Sequence, residues 1–400
     1  MSLVLYRKYR PQTFSEIIGQ EHVVRTLTNA ILSGIISHAY LFYGPRGSGK
    51  TTIARLLAKA LNCENRQGFE PCNQCSSCLE INEGRALDLI EIDAASHRGI
   101  DEIRELRDGI RFVPTKSKYK VFIVDESHQL TKEAANALLK TLEEPPDYAI
   151  FVLATTEIHK MIPTIVSRCQ RFDFRRLTVP EIVKKLEFIS QKEKIEIEKP
   201  ALELIALNAS GSFRDAESLL DQALTFSGTL GKDYHPPTAL PLAAGERAPR
   251  KISAQDIKNL LGLVEINLIQ SFVDLISQKN AAPAINFLNE KIDQGLDLQE
   301  FTKSLINYLR QAIILKISQP ETGSRDNLLG MGSLTNLPIT GLTKEEFQKL
   351  QSQIENFKEP DIHRMLEIFL DAQQKMKYSP ILQLPLELAI IEILRPEEKL

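Results

Sequence analysis

The 400-residue sequence lacks a surplus of charge of either sign: 49 Lys and Arg stand against 52 Asp and Glu, a formal net charge of -3. A global basic field that would bind a polyanion without regard to sequence is therefore excluded, and any nucleic-acid contact has to be local. It also lacks any uncharged apolar run of the roughly 18 residues that a membrane helix requires, and Met1 to Leu5 is too short and wrongly flanked for a signal peptide. A soluble, cytoplasmic protein that makes no membrane contact is expected. Cysteine is scarce, with five in all, too few for a disulfide scaffold in a chain of this length. No internal repeat is evident. What is present is ample core material: 43% of the residues are hydrophobic, and at roughly 150 residues per domain the length suggests about two to three domains.

Up to about Asp173 the pattern alternates strand with helix. Ala39 to Tyr43, Leu87 to Asp93, Tyr119 to Val124, Ala149 to Ala154 and Arg171 to Phe174 are short, apolar or β-branched, and bounded by Gly, Pro or charge. Such alternation predicts a mostly parallel sheet with helices on both faces. Beyond Asp173 the strand signal stops. Thr178 and Glu181 form a capping box, Pro200 opens a second helix that Gly211 closes, and Phe213 to Phe226 makes a third. Ser227 to Arg250 is rich in Gly, Pro, Ala and Thr and reads as a linker or inserted loop. From Ser253 to about Leu394 the period is helical, broken by a polar stretch from Gln319 to Thr340. The expected layout is an α/β P-loop domain over 1–177, a small three-helix domain over 178–227, a connection over 228–251, and an all-α domain over 252–400.

Gly44-Pro45-Arg46-Gly47-Ser48-Gly49-Lys50-Thr51 fits the G-x-x-x-x-G-K-T pattern, and it falls between a predicted strand and a predicted helix. There the glycines let backbone N–H groups curl around a β-phosphate, Lys50 neutralises β and γ oxygens, and the Thr51 hydroxyl ligates magnesium. Val121-Phe122-Ile123-Val124-Asp125-Glu126 is an apolar strand ending in two carboxylates. Behind a P-loop, Asp125 suits the metal and Glu126 the attacking water, and the second carboxylate favours hydrolysis over transfer to a small hydroxyl substrate. Thr155-Thr156 ends the next strand, where a polar residue would stand between the carboxylates and the γ-phosphate; a turn cap is the other reading.

Four of the five cysteines, Cys63, Cys72, Cys75 and Cys78, lie together between the P-loop helix and the second strand. Their spacing suits a closed tetrahedral zinc with a structural role, and an iron–sulfur cluster is the alternative. Cys169 stands apart as a buried apolar residue. Arg168 in Ser167-Arg168-Cys169, and Arg214 in Gly211-Ser212-Phe213-Arg214, are either surface charges or clamps on a γ-phosphate. The basic run Arg7-Lys8-Tyr9-Arg10-Pro11 is open to three readings: a solvated arm, a clasp on the adenine edge, or a phosphate contact.

Taken in order, Tyr6 to Pro11, Gly19-Gln20, the P-loop, the four-cysteine insert, Asp125-Glu126-Ser127-His128, Leu139 to Pro146, Ser167-Arg168-Cys169 and Gly211 to Arg214 resemble the gamma/tau subunits of bacterial DNA polymerase III. Those subunits are the ATPase motors of the replicative clamp loader, within the AAA+ superfamily. The resemblance implies a ring with delta and delta-prime subunits and other gamma/tau copies, which uses ATP to open the beta sliding clamp and load it on primed template DNA. It implies ATP, Mg2+ and Zn2+ as the bound groups. Gly44, Pro45, Gly47, Ser48, Gly49, Lys50, Thr51 and Thr52 would form the nucleotide cradle, with Thr51 and Asp125 on magnesium and Glu126 on water. Thr156, beside Thr155, would be the sensor and Arg214 the cis arginine of the lid. Arg168 would act on ATP held by a neighbouring subunit. Adenine would lie near Tyr6, Arg10, Pro11 and Ile18, and Cys63, Cys72, Cys75 and Cys78 would hold zinc. The long tail through which tau recruits polymerase and helicase is absent from this sequence, so the resemblance is either to the short gamma form or to a truncated chain, and those two tethering functions are expected to be missing here.

Another AAA+ DNA-remodelling motor, such as a branch-migration helicase, would share the P-loop and the Asp-Glu pair. It would normally end in a winged helix, and no hairpin wing follows Ser253. A scaffold that binds nucleotide without turning it over is disfavoured by the intact Lys50, Thr51, Asp125 and Glu126. No palm-like carboxylate pair appears beyond Asp125-Glu126, so polymerisation belongs to partners.

Overall fold

The computed structural model describes residues 4–96, 110, 112–227, 251–262, 264–318 and 344–394. The chain divides into two compact units, Met1–Ala254 and Gln255–Leu400.

In the first unit, β1 (Ala39–Tyr43), β2 (Leu89–Asp93), β3 (Lys120–Asp125), β4 (Ala149–Thr155) and β5 (Gln170–Asp173) form one parallel sheet in the order β2-β3-β4-β1-β5. β4 thus lies between the strand feeding the P-loop and the strand ending in Asp125, with Tyr43 opposite Thr155 and Val124 opposite Leu153. The second strand starts later than its hydrophobicity suggests. Leu87 is exposed, and the buried Asp88, whose carbonyl accepts from Val121 N–H, turns its carboxylate to the backbone N–H groups of Thr115, Lys116 and Ser117.

The helices of this part are α1 (Leu5–Lys8), α2 (Glu21–Ser33), α3 (Lys50–Asn62), α4 (Ser76–Glu83), α5 (Lys132–Glu143) and α6 (Pro163–Val166). Alternation along the strands builds two cores, because successive side chains point to opposite faces. Tyr40, Phe42, Val121, Ile123 and Val152 meet Val23, Leu27, Ile31, Ile53 and Leu57 on one face. Leu41, Phe122, Val124, Phe151 and Leu153 meet Leu138, Leu142 and Ile165 on the other. Cys169 packs at the margin of the second core, and burial pushes its thiol up to about 12, as an apolar role requires.

Three helices follow: α7 (Val179–Glu193), α8 (Lys199–Asn208) and α9 (Phe213–Ser227). Thr178 and Glu181 form the capping box at the start of α7, with Pro180 in its first turn. The Pro-rich stretch from 228 to 250 lies outside the described residues. Where description resumes, Ile252 is fully buried and pairs with Ile197 in a parallel bridge, so residues 251–254 belong with the first unit.

Ala254–Leu260 (α10) begins at the junction of the units. The second unit is helical throughout its described residues: α11 (Ile266–Ser277), α12 (Ala281–Asp293), α13 (Leu298–Ser318), α14 (Lys344–Glu355), α15 (Glu359–Met376) and α16 (Leu384–Leu394). Phe272, Phe301, Leu305, Phe369 and Leu386 lead its core. Inside it Gln353 donates to the Gln270 carbonyl at 2.8 Å, and the Tyr308 hydroxyl donates to Gln353. The polar stretch from Gln319 to Thr340 lies outside the described residues. No helix among the described residues is long and apolar enough to cross a membrane.

Candidate nucleotide and metal sites

The loop between β1 and α3 departs from the sheet at Gly44, whose N–H donates to the Thr155 carbonyl at 3.2 Å. Gly47 and Gly49 take positive φ, 74° and 99°, so a side chain at either would be strained. At Gly47 a Cβ would also collide with Ser212 Oγ, because the start of α9 is pressed against the loop. Lys50 is almost wholly buried at the start of α3, and its ammonium donates to the carbonyls of Gly44 and Pro45 at 2.8 and 2.9 Å. Burial lowers its pKa, and Asp125 and Glu126 pull it back up. Thr52, next on α3, is half-buried.

The sheet brings the two halves of the expected site together. The Thr51 hydroxyl donates to Asp125 Oδ2 at 2.7 Å, joining the P-loop helix to the end of β3. Glu126 is held in a left-handed conformation, φ 47°, with its N–H on Asp125 Oδ1. Such sparsely populated conformations concentrate at functional sites. The Thr156 hydroxyl donates to Glu126 Oε2 at 3.1 Å. Thr155 faces elsewhere: its buried hydroxyl contacts His128 Nδ1 at 3.0 Å and accepts the Glu157 N–H. His128, given no role by the sequence, thus stands between Thr155, Glu126 and Glu157. Its only sequence signal is its place two residues after Glu126.

On the other side of the loop the first residues and the three-helix lid converge. Arg214, on α9 two residues after Ser212, lies over the Tyr6 ring at 5.1 Å. The Leu5 N–H donates to Asp221 on α9, and Lys185 on α7 donates to the Tyr9 carbonyl. Arg10 is half-buried, with no hydrogen bond or ion pair from its guanidinium among the described residues. Burial and the nearby Arg55 lower its pKa, with further like charge from Arg7 and Arg214, while Glu91 raises it. A group of cations at the mouth of the cleft suits an anionic or electron-rich ligand. Gln20 bridges the Ser48 and Arg175 carbonyls, tying the residues after Ile18 to the P-loop. Pro11 follows directly in this segment.

Arg168 is not part of this cluster. It stands two residues before β5, at the N-terminal end of the parallel sheet, whereas the P-loop leaves the C-terminal end of β1. Its guanidinium donates to Glu143 at 2.6 Å and to the Thr164 carbonyl at 2.8 Å, partly exposed.

The four insert cysteines place their Sγ atoms within 4.8 Å of one another. Two of the approaches, Cys72 to Cys78 and Cys63 to Cys75, are 4.0 Å. A tetrahedral zinc with Zn–S of about 2.3 Å requires sulfurs about 3.8 Å apart, so the donor set and its spacing fit that ion. Backbone N–H groups of Gln74 and Cys75 point at Cys72 Sγ and hold that thiol down at about 6, whereas burial raises Cys63 and Cys78.

The fold and the P-loop site define a nucleoside-triphosphate-binding protein of the AAA+ class with a helical lid. More narrowly, the chain belongs to the gamma and tau subunit family of DNA polymerase III. Residues 19–178 match a family model described as DNA polymerase III, delta subunit; 181–229 match the clamp loader subunit ATPase lid domain; and 252–400 match domain III of subunits gamma and tau. The gamma subunit of Buchnera aphidicola is 35% identical over 394 residues, 98% of each chain. The tau subunit of Bacillus subtilis is 40% identical over 389 residues, which is 97% of this chain and 62% of that one. The chain thus spans less than two thirds of that relative, and 47% of the Escherichia coli tau subunit. Among solved structures, the Thermotoga maritima RuvB branch-migration motor covers 67% of this chain and 78% of its own at 19% identity, with a TM-score of 0.44, an overlap too loose to bear on function.

Proposed function

We propose that this chain is an ATP-hydrolysing motor subunit of a bacterial clamp loader, working in the cytoplasm with delta, delta-prime and further gamma/tau copies. The cargo on this reading is the beta sliding clamp, loaded on primed DNA. The observation that carries the reading is the joining of Thr51 to Asp125 and of Thr156 to Glu126 at the end of a sheet whose P-loop is backed by the lid.

Each residue has a separate task. Lys50 exchanges its two carbonyl partners for β- and γ-phosphate oxygens, while the backbone from Gly44 to Thr52 encloses the β-phosphate at the start of α3. Thr51 and Asp125 would hold Mg2+, which neutralises charge on the transferred phosphoryl group. Glu126 takes the proton of the attacking water, and Thr156 orients that carboxylate. Arg214 comes to the γ-phosphate from the lid, so that lid position reports what the cleft holds. Tyr6, Arg10, Pro11 and Ile18 border the adenine. Arg168 reaches a neighbour's γ-phosphate, since its end of the sheet faces away from its own cleft. Cys63, Cys72, Cys75 and Cys78 would hold a structural zinc that cross-links the insert.

The test is clamp loading on primed DNA by an assembly reconstituted with delta, delta-prime and clamp. Wild-type chain should load, and Lys50→Ala should not. Loading by the Lys50→Ala assembly at the wild-type rate would contradict the reading.

A further inference from the structure

We infer that Glu70 is a positioning residue for nucleotide binding: from the cysteine insert it fixes the segment carrying Arg10 and Pro11 at the base end of the cleft. The inference rests on the reading of that cleft as an ATP site.

Glu70 lies on the loop between Cys63 and Cys72, some 60 residues along the chain from Arg10. Its two carboxylate oxygens accept the backbone N–H groups of Phe14 and Ser15, each at 2.8 Å. Those groups open the short 3-10 helix Phe14–Glu16, where the donors have no partner within the turn. The carboxylate therefore does for this turn what a capping side chain does for a helix, but from a distant part of the sequence. Charge-assisted bonds of this kind are stronger than neutral ones. Beside them Phe14, 1% exposed, meets Phe69 edge-on at 6.5 Å.

A second tie runs in parallel. Lys59, fully buried on α3, donates to Gln12 Oε1 at 2.7 Å and to Asn82 Oδ1 on α4 at 2.8 Å. Gln12 in turn donates to the Arg10 carbonyl at 3.1 Å. The P-loop helix, the helix that carries Cys78 and the N-terminal segment thus meet at one ammonium. At its other end the segment is held by the lid, through Asp221 on Leu5 and Lys185 on Tyr9.

Residues 5–16 form a span fixed at both ends, with Arg10 and Pro11 between the two sets of bonds. Freeing the Phe14–Ser15 end lets the middle of the span move, and nucleotide binding must then supply the ordering that Glu70 supplies beforehand. The phosphate cradle does not depend on this tie, because it is built from β1, α3 and its own hydrogen bonds. Loss of Glu70 should therefore weaken contacts to the base and spare contacts to the phosphates.

The experiment compares two probes on the 400-residue chain, Mg-ATP and Mg-tripolyphosphate, by titration calorimetry, with folding monitored by circular dichroism. Glu70→Ala should bind ATP roughly five- to tenfold more weakly and tripolyphosphate as wild type does. Glu70→Gln, which retains one good acceptor, should fall between. Gln12→Ala weakens the same span from the Lys59 side and stands in if Glu70→Ala does not fold. Unchanged ATP affinity in folded Glu70→Ala or Gln12→Ala overturns the inference, and so does an equal loss for both probes, which would mark general damage to the cleft. Failure of the wild-type chain to bind ATP would instead remove the proposed function.

Discussion

Lys50 is held by carbonyls that it has to release before it can bind a phosphate, and Glu126 is held by a threonine in a backbone conformation that most residues avoid. The two residues therefore fail differently. Lys50→Ala should abolish nucleotide binding, read by equilibrium titration. Glu126→Gln should bind ATP as wild type does while turnover falls at least a hundredfold, as expected for loss of a general base. Hydrolysis by Glu126→Gln at the wild-type rate would remove the base assignment. A second residue-scale prediction concerns stability. Burial on α9 raises the Glu217 carboxyl from 4.5 to about 7, although Lys185 and Arg10 pull it down. The folded chain thus holds this proton more tightly than the unfolded one, so the stability it contributes is complete below pH 4.5 and is lost as pH rises through about 7. Between about pH 4 and pH 8 the unfolding free energy of Glu217→Gln should gain on wild type by up to about 3 kcal/mol. A constant difference across that range, measured by urea denaturation, would contradict the assignment.

Among the elements, the P-loop and the strand ending in Asp125 were legible because their chemistry dictates residue type, spacing and position against strand and helix at once. The three lid helices were legible for a simpler reason: Thr178, Glu181, Pro200 and Gly211 mark their ends. What stayed hidden is contact between segments remote in sequence. Nothing near Gln20 announces that it will bridge Ser48 and Arg175, and nothing near Glu70 announces Phe14. His128 was in view, but its role depends on β4 entering the sheet beside β3, which local pattern does not specify. The cysteine insert, which the sequence places between the P-loop helix and the second strand, is also bonded to the N-terminal segment. Metal analysis of reduced protein should find about one zinc per chain. Cys75→Ser should lower that content and lower the melting temperature of the first unit. Iron, or full zinc occupancy in the variant, would contradict the four-thiolate site.

On the scale of the whole molecule, a chain whose P-loop and Arg168 lie at opposite ends of one sheet cannot complete its own site with that arginine. In the isolated chain Arg168 makes a partly exposed pair with Glu143, worth under about 1 kcal/mol, and its removal should leave ATP binding unchanged. In an assembly the same change should suppress hydrolysis by on the order of a thousandfold, the scale of an arginine supplied from outside the site. Mixing subunits that carry Lys50→Ala with subunits that carry Arg168→Ala should restore part of the activity, because the first supplies the arginine and the second the cradle. The measurement that tests the account most directly is steady-state ATP turnover by the chain assembled with delta and delta-prime, with and without the beta clamp and primed DNA. The account predicts slow turnover alone, strong stimulation when clamp and primed DNA are both present, and loss of that stimulation in Glu126→Gln. Turnover that is indifferent to clamp and primed DNA, in an assembly confirmed by sizing, would contradict it.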